Sequence, residues 1–247
     1  MSISGKMKEA GCLVVFDIGN VLIRWEPRAA FRHAFGSDAE IDAMLDEVGF
    51  HEWNLANDRG RGRAEAVAEI AARWPGRAAV MDGYFDRFGE TIREKITGSW
   101  EVLHDLRAAG HVPWALTNFA ADTWPEALRL HPELRAAFGG IVVSGHEGRV
   151  KPERAIFDLL CTRAGVAPEA CFLADDSAAN VAGARAAGWQ AHHFEGAAGL
   201  RAFFAEVCTA TPALRARLAA HDRLHAIPLD PAAARARHFP AWGAPPD

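Results

Sequence analysis

Four short apolar runs punctuate the chain, and each stops abruptly at polar residues or glycine. Leu13-Val14-Val15-Phe16 stops at Asp17 and Gly19, and Trp114-Ala115-Leu116 stops at Thr117-Asn118. Ile141-Val142-Val143 stops at Ser144-Gly145, and Cys171-Phe172-Leu173-Ala174 stops at Asp175-Asp176. Runs that are apolar throughout, without alternation, predict strands of a parallel sheet covered on both faces. Pro113 has no N–H for a central ladder, so it is placed at the start of the second strand. Helical spacing fills the gaps. Val102, Leu103 and Leu106 predict a helix from Ser99 to Ala109, closed by Gly110. Ile156, Leu159 and Leu160 predict another, opened by Pro152 and closed by Gly165. Ser177 to Ala187 is a third, ending at Gly188. Strand and helix alternate, which predicts an α/β fold with a Rossmann-like parallel sheet and helices on both faces.

The stretch from Arg24 to about Lys95 breaks that alternation. It holds helical patterns over Pro27–Phe35, Ala39–Val48, Ala64–Trp74 and Tyr84–Ile96, and no good strand. The expected organisation is a core of residues 1–23 and 97–205, a helical insert of residues 24–96 acting as a cap, and a C-terminal extension of residues 206–247. Within the extension Ala213–Ala220 reads as a helix, and Ile227–Asp247 holds five prolines that argue against regular structure.

Composition narrows the function. The chain of 247 residues is 50% hydrophobic, enough to bury a sizeable core. Its 27 basic and 32 acidic residues give a net charge of −5 without blocks of one sign, so a nucleic-acid partner is not expected. No apolar stretch approaches the ~20 residues of a membrane span, and Leu13–Phe16 is too short for a signal peptide, so no membrane partner is expected either. Cys12, Cys161, Cys171 and Cys208 show no CxxC spacing and read as reduced thiols of a cytoplasmic protein. The eleven histidines lack HxH spacing, which argues against a histidine metal site. The oligomeric state is left open.

In an open parallel sheet, ligands bind beyond the carboxyl ends of the strands. Asp17, Thr117, Asn118, Asp175 and Asp176 all fall there, so residues far apart in sequence are expected to converge. Four segments then resemble, in order, the motifs of the haloacid dehalogenase-like superfamily: Phe16-Asp17-Ile18-Gly19-Asn20-Val21-Leu22, Leu116-Thr117-Asn118, Lys151-Pro152-Glu153, and Asp175-Asp176-Ser177-Ala178-Ala179-Asn180. The resemblance covers roughly Leu13 to Phe204. The Asp-x-Gly-Asn form of the first motif is similar to that of helical-cap sugar-phosphate phosphatases in the superfamily.

The resemblance implies a role for each residue. Asp17 would be the nucleophile that forms a covalent aspartyl intermediate. The Gly19 loop would cradle phosphate oxygens with backbone N–H groups, and Gly19 leaves room for that approach. Thr117 would offer a hydroxyl and Asn118 an N–H to the same phosphate. Lys151 would bring positive charge to the transferring group and to Asp17. Asp17, Asp175, Asp176 and the Gly19 carbonyl would hold Mg²⁺, a cation that prefers oxygen ligands. Two carboxylates ~4 Å apart repel by about 4 kcal/mol at an effective dielectric of about 20, so three together call for a cation beyond Lys151. Asn180, four residues after Asp176 and on the same helix face, would brace a metal-binding carboxylate.

One position departs from the family pattern. Most phosphatases of the superfamily carry a second aspartate two residues after the nucleophile, where it protonates the leaving alcohol. Here that position is Gly19, which transfers no proton. His33, His51 or a substrate hydroxyl are the substitutes considered, and nothing in the sequence selects one. Trp25, Trp53 and Trp124 are candidates for lining the pocket, with packing as the alternative. Arg24 and Arg28 are candidates for an anionic substrate, with solvation as the alternative. The basic run Asp58–Arg63 reads as a flexible turn between helices. The expected function is Mg²⁺-dependent hydrolysis of a small phosphorylated metabolite. The alternatives are dehalogenation of a 2-haloacid, and a binding protein that kept the fold without turnover. Dehalogenases of the family lack the adjacent acidic pair and carry threonine where this chain has Val21.

Overall fold

The protein, seen as a computed structural model, is described over residues 12–209. Five parallel strands form one sheet: β1 (Leu13–Phe16), β2 (Trp114–Thr117), β3 (Gly140–Val143), β4 (Cys171–Asp175) and β5 (Gln190–His193). Their order is β3-β2-β1-β4-β5. The four expected strands are all present, with Pro113 directly before β2. The fifth was not expected, because Gln-Ala-His-His carries no apolar run. Among the described residues it is an edge strand paired on one side, with Phe172 opposite Gln190 and Asp175 opposite His193.

Every residue of β1 and β4 is buried. Alternate side chains feed two apolar layers, as a pleated strand requires. Leu13, Val15, Leu116, Cys171 and Leu173 pack against α10 (Arg154–Ala164) and α11 (Ala178–Ala186). Val14, Phe16, Ala115, Phe172 and Ala174 pack on the other side, against α6 (Thr97–Ala108) and α12 (Ala197–Thr209). Gly165 closes α10 at φ 67°, and Ser177 caps α11 by accepting the Asn180 N–H at 3.4 Å, so both boundary signals in the sequence hold. The helix opens at Arg154 rather than at Pro152. The last described helix, Ala197–Thr209, runs across residue 206, with Val207 packed beside Leu200 and Phe204. The expected helix over Ala213–Ala220 and the Pro-rich segment after it lie outside the described residues.

Between β1 and α6 the chain is helical and without a named strand. It forms α1 (Asp38–Glu47), α2 (Phe50–Asp58), α3 (Arg63–Arg73), α4 (Ala78–Asp86) and α5 (Phe88–Thr91). Two expectations need correction. The pattern over Pro27–Phe35 gives only one 3-10 turn, Pro27–Ala30. The helix proper restarts at Ser37, whose hydroxyl accepts the Glu40 N–H at 3.3 Å while the Glu40 carboxylate accepts the Gly36 N–H at 2.8 Å. The pattern over Tyr84–Ile96 gives α4 and α5 and then extended chain. Residues after Thr91 instead pair with the chain leaving β1: Arg24 donates to Glu94, Glu26 to Thr91 and Ile96 to Leu22, all at 2.8–2.9 Å. The two connectors to the insert therefore run side by side. Helix α2 was missed because Gly49 reads as a stop. At φ 64° it both ends α1 and starts α2.

Helix α11 approaches the loop before α10 so closely that Gly183 has no room for a side chain. A Cβ there would lie 2.5 Å from the Pro152 carbonyl oxygen. Overpacking typically costs ~1–3 kcal/mol, so Gly183→Ala is expected to lower the melting temperature by several degrees. Gly83 lies inside α4 with open space around it, and Gly83→Ala is expected to raise stability by roughly 0.5–1 kcal/mol. Thermal melts of the two variants check the pair.

Candidate active site

The register of the sheet builds the site. Phe16 lies opposite Ala174, and the Asp17 N–H donates to the Ala174 carbonyl at 2.9 Å. Asp17 and Asp175 are thereby set side by side where the strand order reverses, the place at which such sheets leave a crevice. The Lys151 ammonium sits between them. Its Nζ donates to Asp17 Oδ2 at 2.9 Å, to Asp175 Oδ2 at 2.6 Å and to the Leu116 carbonyl at 2.9 Å. These partners use all three of its N–H bonds. Lys151 and Asp175 are buried, and Asp17 is 6% exposed.

Neighbouring groups fix each carboxylate. Asp175 Oδ1 accepts from the Ser177 N–H and from Asn180 Nδ2, both at 2.9 Å. Asn180 thus braces Asp175. The second oxygen of Asp17, Oδ1, accepts the Ile18 N–H at 2.7 Å. Asp176 receives a hydrogen bond from the Asn20 side chain, whose Oδ1 also accepts the Trp25 N–H at 3.0 Å. Asn20 has φ 52°, a left-handed conformation that asparagine tolerates better than most residues. Asn118 clamps Lys151 through both halves of its amide: Nδ2 donates to the Lys151 carbonyl at 2.9 Å and Oδ1 accepts the Lys151 N–H at 2.8 Å. The sequence held no sign of this clamp. Thr117 Oγ1 is buried and has no hydrogen-bond partner among the described residues, so its hydroxyl is free for a ligand.

One oxygen each from Asp17, Asp175 and Asp176 lie within 4.8 Å of one another. Burial pushes the Asp17 carboxyl up to about 8; Lys151 opposes the shift, and Asp175 and Asp176 add to it. Burial, then the charge of Asp175, pushes Asp176 up to about 7. Burial alone would push the Lys151 ammonium down, but Asp17 and Asp175 outweigh it and hold it above its ordinary value. One ammonium therefore does not balance the charge of three clustered carboxylates. An all-oxygen donor set with surplus negative charge fits a hard divalent cation such as magnesium.

Two adjoining hollows open above these strand ends. The polar one is lined by Asp17, Lys151, Asp176 and Asn180 from the sheet side and by His51 and Leu55 from α2. The apolar one is lined by Ile18, Tyr84, Phe85, Phe88 and Phe119 among others. Gly19, Trp25, Asn54, Asp58 and Asn118 line both. Of the three tryptophans considered, only Trp25 reaches a hollow. Trp53 is buried and donates to the Ala66 carbonyl at 3.0 Å, and Trp124 packs edge-on to Phe119. Arg24 pairs with Glu94, and Arg28 pairs with Asp42 at 2.6 Å, so both are engaged within the protein. His33 is exposed and lines neither hollow.

The run from Asp58 to Arg63 is a turn between helices, but one held by specific contacts. Arg59 pairs with Glu153 at 2.5 Å, Arg61 donates to the Trp53 carbonyl at 2.6 Å, and Arg63 pairs with Asp82 and Asp86 at 2.6 Å. Ser144 Oγ donates to the Asp58 carbonyl at 2.6 Å, and the Ala120 N–H donates to the Asp58 carboxylate. Burial pushes the Asp58 carboxyl up to about 7, with the Ala120 N–H opposing, Asp17 adding and Lys151 opposing. Sequence reasoning missed Asp58.

A family model for haloacid dehalogenase-like hydrolases matches residues 13–188. The chain is 27% identical over 189 residues to the fructose-1-phosphate phosphatase YqaB of Escherichia coli K12, a match covering 72% of this chain and 93% of that protein. A family enzyme from Bacteroides thetaiotaomicron, crystallised with magnesium and inorganic phosphate, shares the fold with a TM-score of 0.59 at 21% identity, over 75% of this chain and 94% of that one. A crystallised dehalogenase shares it with a TM-score of 0.53 at 21% identity, over 73% and 83%. The chain belongs to the haloacid dehalogenase-like hydrolases. Among the described residues no helix is long and apolar enough to cross a membrane.

The raised carboxylates make a prediction about stability. Asp17, Asp58 and Asp176 bind protons more readily folded than unfolded, so their contribution is full below about pH 4 and is lost as pH rises through about 7 to 8. In excess EDTA the melting temperature is expected to fall between about pH 6 and 8.5, and Mg²⁺ is expected to restore it at the alkaline end. Asp176→Asn should flatten the fall. Melts across that range with and without Mg²⁺ check it.

Proposed function

We propose that the chain is a Mg²⁺-dependent phosphomonoester hydrolase of small phosphorylated metabolites, working through an aspartyl-phosphate on Asp17. The observation that carries this reading is the Asp17, Asp175, Asp176 triad around the Lys151 ammonium, beside the unpartnered Thr117 hydroxyl. Its resemblance to a fructose-1-phosphate phosphatase supports a small polar metabolite as substrate.

In this reading a carboxylate oxygen of Asp17 attacks phosphorus. The Ile18 N–H and Lys151 hold the nucleophile in one orientation. Thr117 donates its hydroxyl to a phosphate oxygen, and the Gly19 loop offers backbone N–H groups, with no atom within 4 Å of where a Gly19 Cβ would stand. Asp17, Asp176 and the Gly19 carbonyl would hold the cation, joined by Asp175, whose oxygens accept three hydrogen bonds and keep one lone pair. Magnesium, when bound there, supplies the charge that lets a phosphate dianion approach clustered carboxylates. We read residues 24–96 as a cap over the core of residues 1–23 and 97–205, with residues 206–247 as an extension. The paired connectors support a cap attached at one place. The thiols of Cys161 and Cys171, which form no disulfide, support a cytoplasmic enzyme.

A second reading has one observation in its favour. Gly19 leaves the core without a proton donor, and a departing halide needs none, so 2-haloacid dehalogenation tolerates the gap. The acidic cluster weighs against it, because it repels a haloacid carboxylate. Asp17→Asn is expected to lower phosphate release by about 10³-fold or more with the fold intact. The wild-type enzyme should lose activity in EDTA and regain it with Mg²⁺. A screen of phosphorylated metabolites scoring released phosphate tests both outcomes, and turnover of 2-haloacids in excess EDTA would reverse the assignment. Absence of turnover on any ester or haloacid would favour a binding protein.

A further inference from the structure

Gly19 stands where most phosphatases of the superfamily carry a proton-transfer aspartate. In a phosphomonoester the bond that breaks joins the phosphoryl group to the carbon skeleton through one bridging oxygen. The polar hollow, with Asp17 and Lys151, suits the phosphoryl group. The adjoining hollow, with Tyr84, Phe85, Phe88 and Phe119, suits the skeleton. The bridging oxygen then lies where the two meet. Five side chains or backbones line both hollows: Gly19, Trp25, Asn54, Asp58 and Asn118. Of these only Asp58 carries an ionisable side chain. His51 lines the polar hollow alone, and His33 lines neither.

Building on the phosphatase reading, we propose that Asp58 is the general acid and base of the reaction, reaching the bridging oxygen from the insert. In the first step the Asp17 oxygen forms a bond to phosphorus, the bond from phosphorus to the bridging oxygen breaks, and the Asp58 carboxyl gives its proton to that oxygen. The products are a neutral alcohol, an Asp58 carboxylate and the aspartyl-phosphate. In the second step the Asp58 carboxylate takes a proton from water as the water oxygen bonds to phosphorus and the bond to Asp17 breaks. Inorganic phosphate leaves and Asp58 is protonated again. No other reactant is needed.

The placement of Asp58 is well supported. Helix α2 ends there, the Ser144 hydroxyl ties its carbonyl to the end of β3, the Ala120 N–H holds its carboxylate, and Arg59 beside it pairs with Glu153. The charged groups facing it are Asp17 and Lys151, of opposite sign. Burial holds its carboxyl near neutrality, which suits a group that must both give and take a proton.

The test compares wild type and Asp58→Asn on 4-nitrophenyl phosphate and on a simple alkyl phosphate, with Mg²⁺ present. Nitrophenolate leaves without a proton, so the variant should still release one burst of it per active site and then turn over slowly, because water attack lacks its base. On the alkyl phosphate the burst should disappear and kcat/KM should fall about 10²–10⁴-fold. Wild-type steady-state rates for the variant on the aryl ester, with loss confined to KM on substrates carrying hydroxyl groups, would overturn the proposal and make Asp58 a specificity contact. Should Asp58→Asn melt below the assay temperature, a leaving-group series on the wild type carries the test. Burst rates nearly constant from phenols to simple alcohols support the proposal, and a steep decline overturns it. A wild-type enzyme that releases no phosphate from any ester overturns the phosphatase reading itself, and the proposal with it.

Discussion

A buried ammonium shared between two buried carboxylates sets the terms for the rest of this molecule. Lys151 bridges Asp17 and Asp175 with essentially no exposure to water. Removing such charges from water costs several kcal/mol per ion, and the cost is offset only when geometry is tight and each remaining lone pair is met. The surrounding structure meets that demand. The parallel register of β1 and β4 brings the carboxylates together, Ser177 and Asn180 satisfy Asp175, Ile18 satisfies Asp17, and Asn118 fixes the Lys151 backbone. The apolar strands that make the site dry also make it electrostatically demanding.

The segment between β1 and α6 shares both in the core packing and in lining the hollows. Phe31, Phe50, Trp53, Tyr84, Phe85 and Phe88 form one aromatic cluster with ring centroids 5.3–6.1 Å apart for the pairs in contact. Phe88 continues it into the core through Phe119, at 5.3 Å. Aromatic pairs in edge and tilted arrangements add specific geometry to area burial. Helix α2 rests on this cluster through Phe50 and Trp53 while its other side turns His51, Asn54 and Asp58 toward the hollows. One helix thus anchors the insert and lines the site.

Much of the fold and the strand-end part of the site could be read from residues alone. Runs such as Leu13–Phe16 are continuous because both faces of the sheet are covered, and the residues that end them carry the polar groups of the crevice. Gln190–His193 was not legible, because an edge strand needs less apolar content and its pairing is set by β4. The Asn118–Lys151 clamp was not legible either. It depends on how the end of β2 meets a loop 33 residues later, a distance no local pattern encodes. Asp58 lay hidden in an arginine-rich turn, where a carboxylate looks like a salt-bridge partner. Its position becomes visible only once Ser144 and Ala120 hold the turn against the strand ends.

The central strand of the sheet is also the first to be made. Leu13 pairs with Cys171, so β1 waits for nearly the whole described chain before its second neighbour exists. Contacts of such long sequence separation form late, since loop-closure entropy must be met before they stabilise anything. Until β4 is made, β1 has β2 as its strand neighbour and its other edge is open. The Asp17 and Asp175 carboxylates are brought together only when β4 is in place. A chain that ends before β4 lacks the partner that sets Asp175 beside Asp17, so the crevice is complete only when the sheet is.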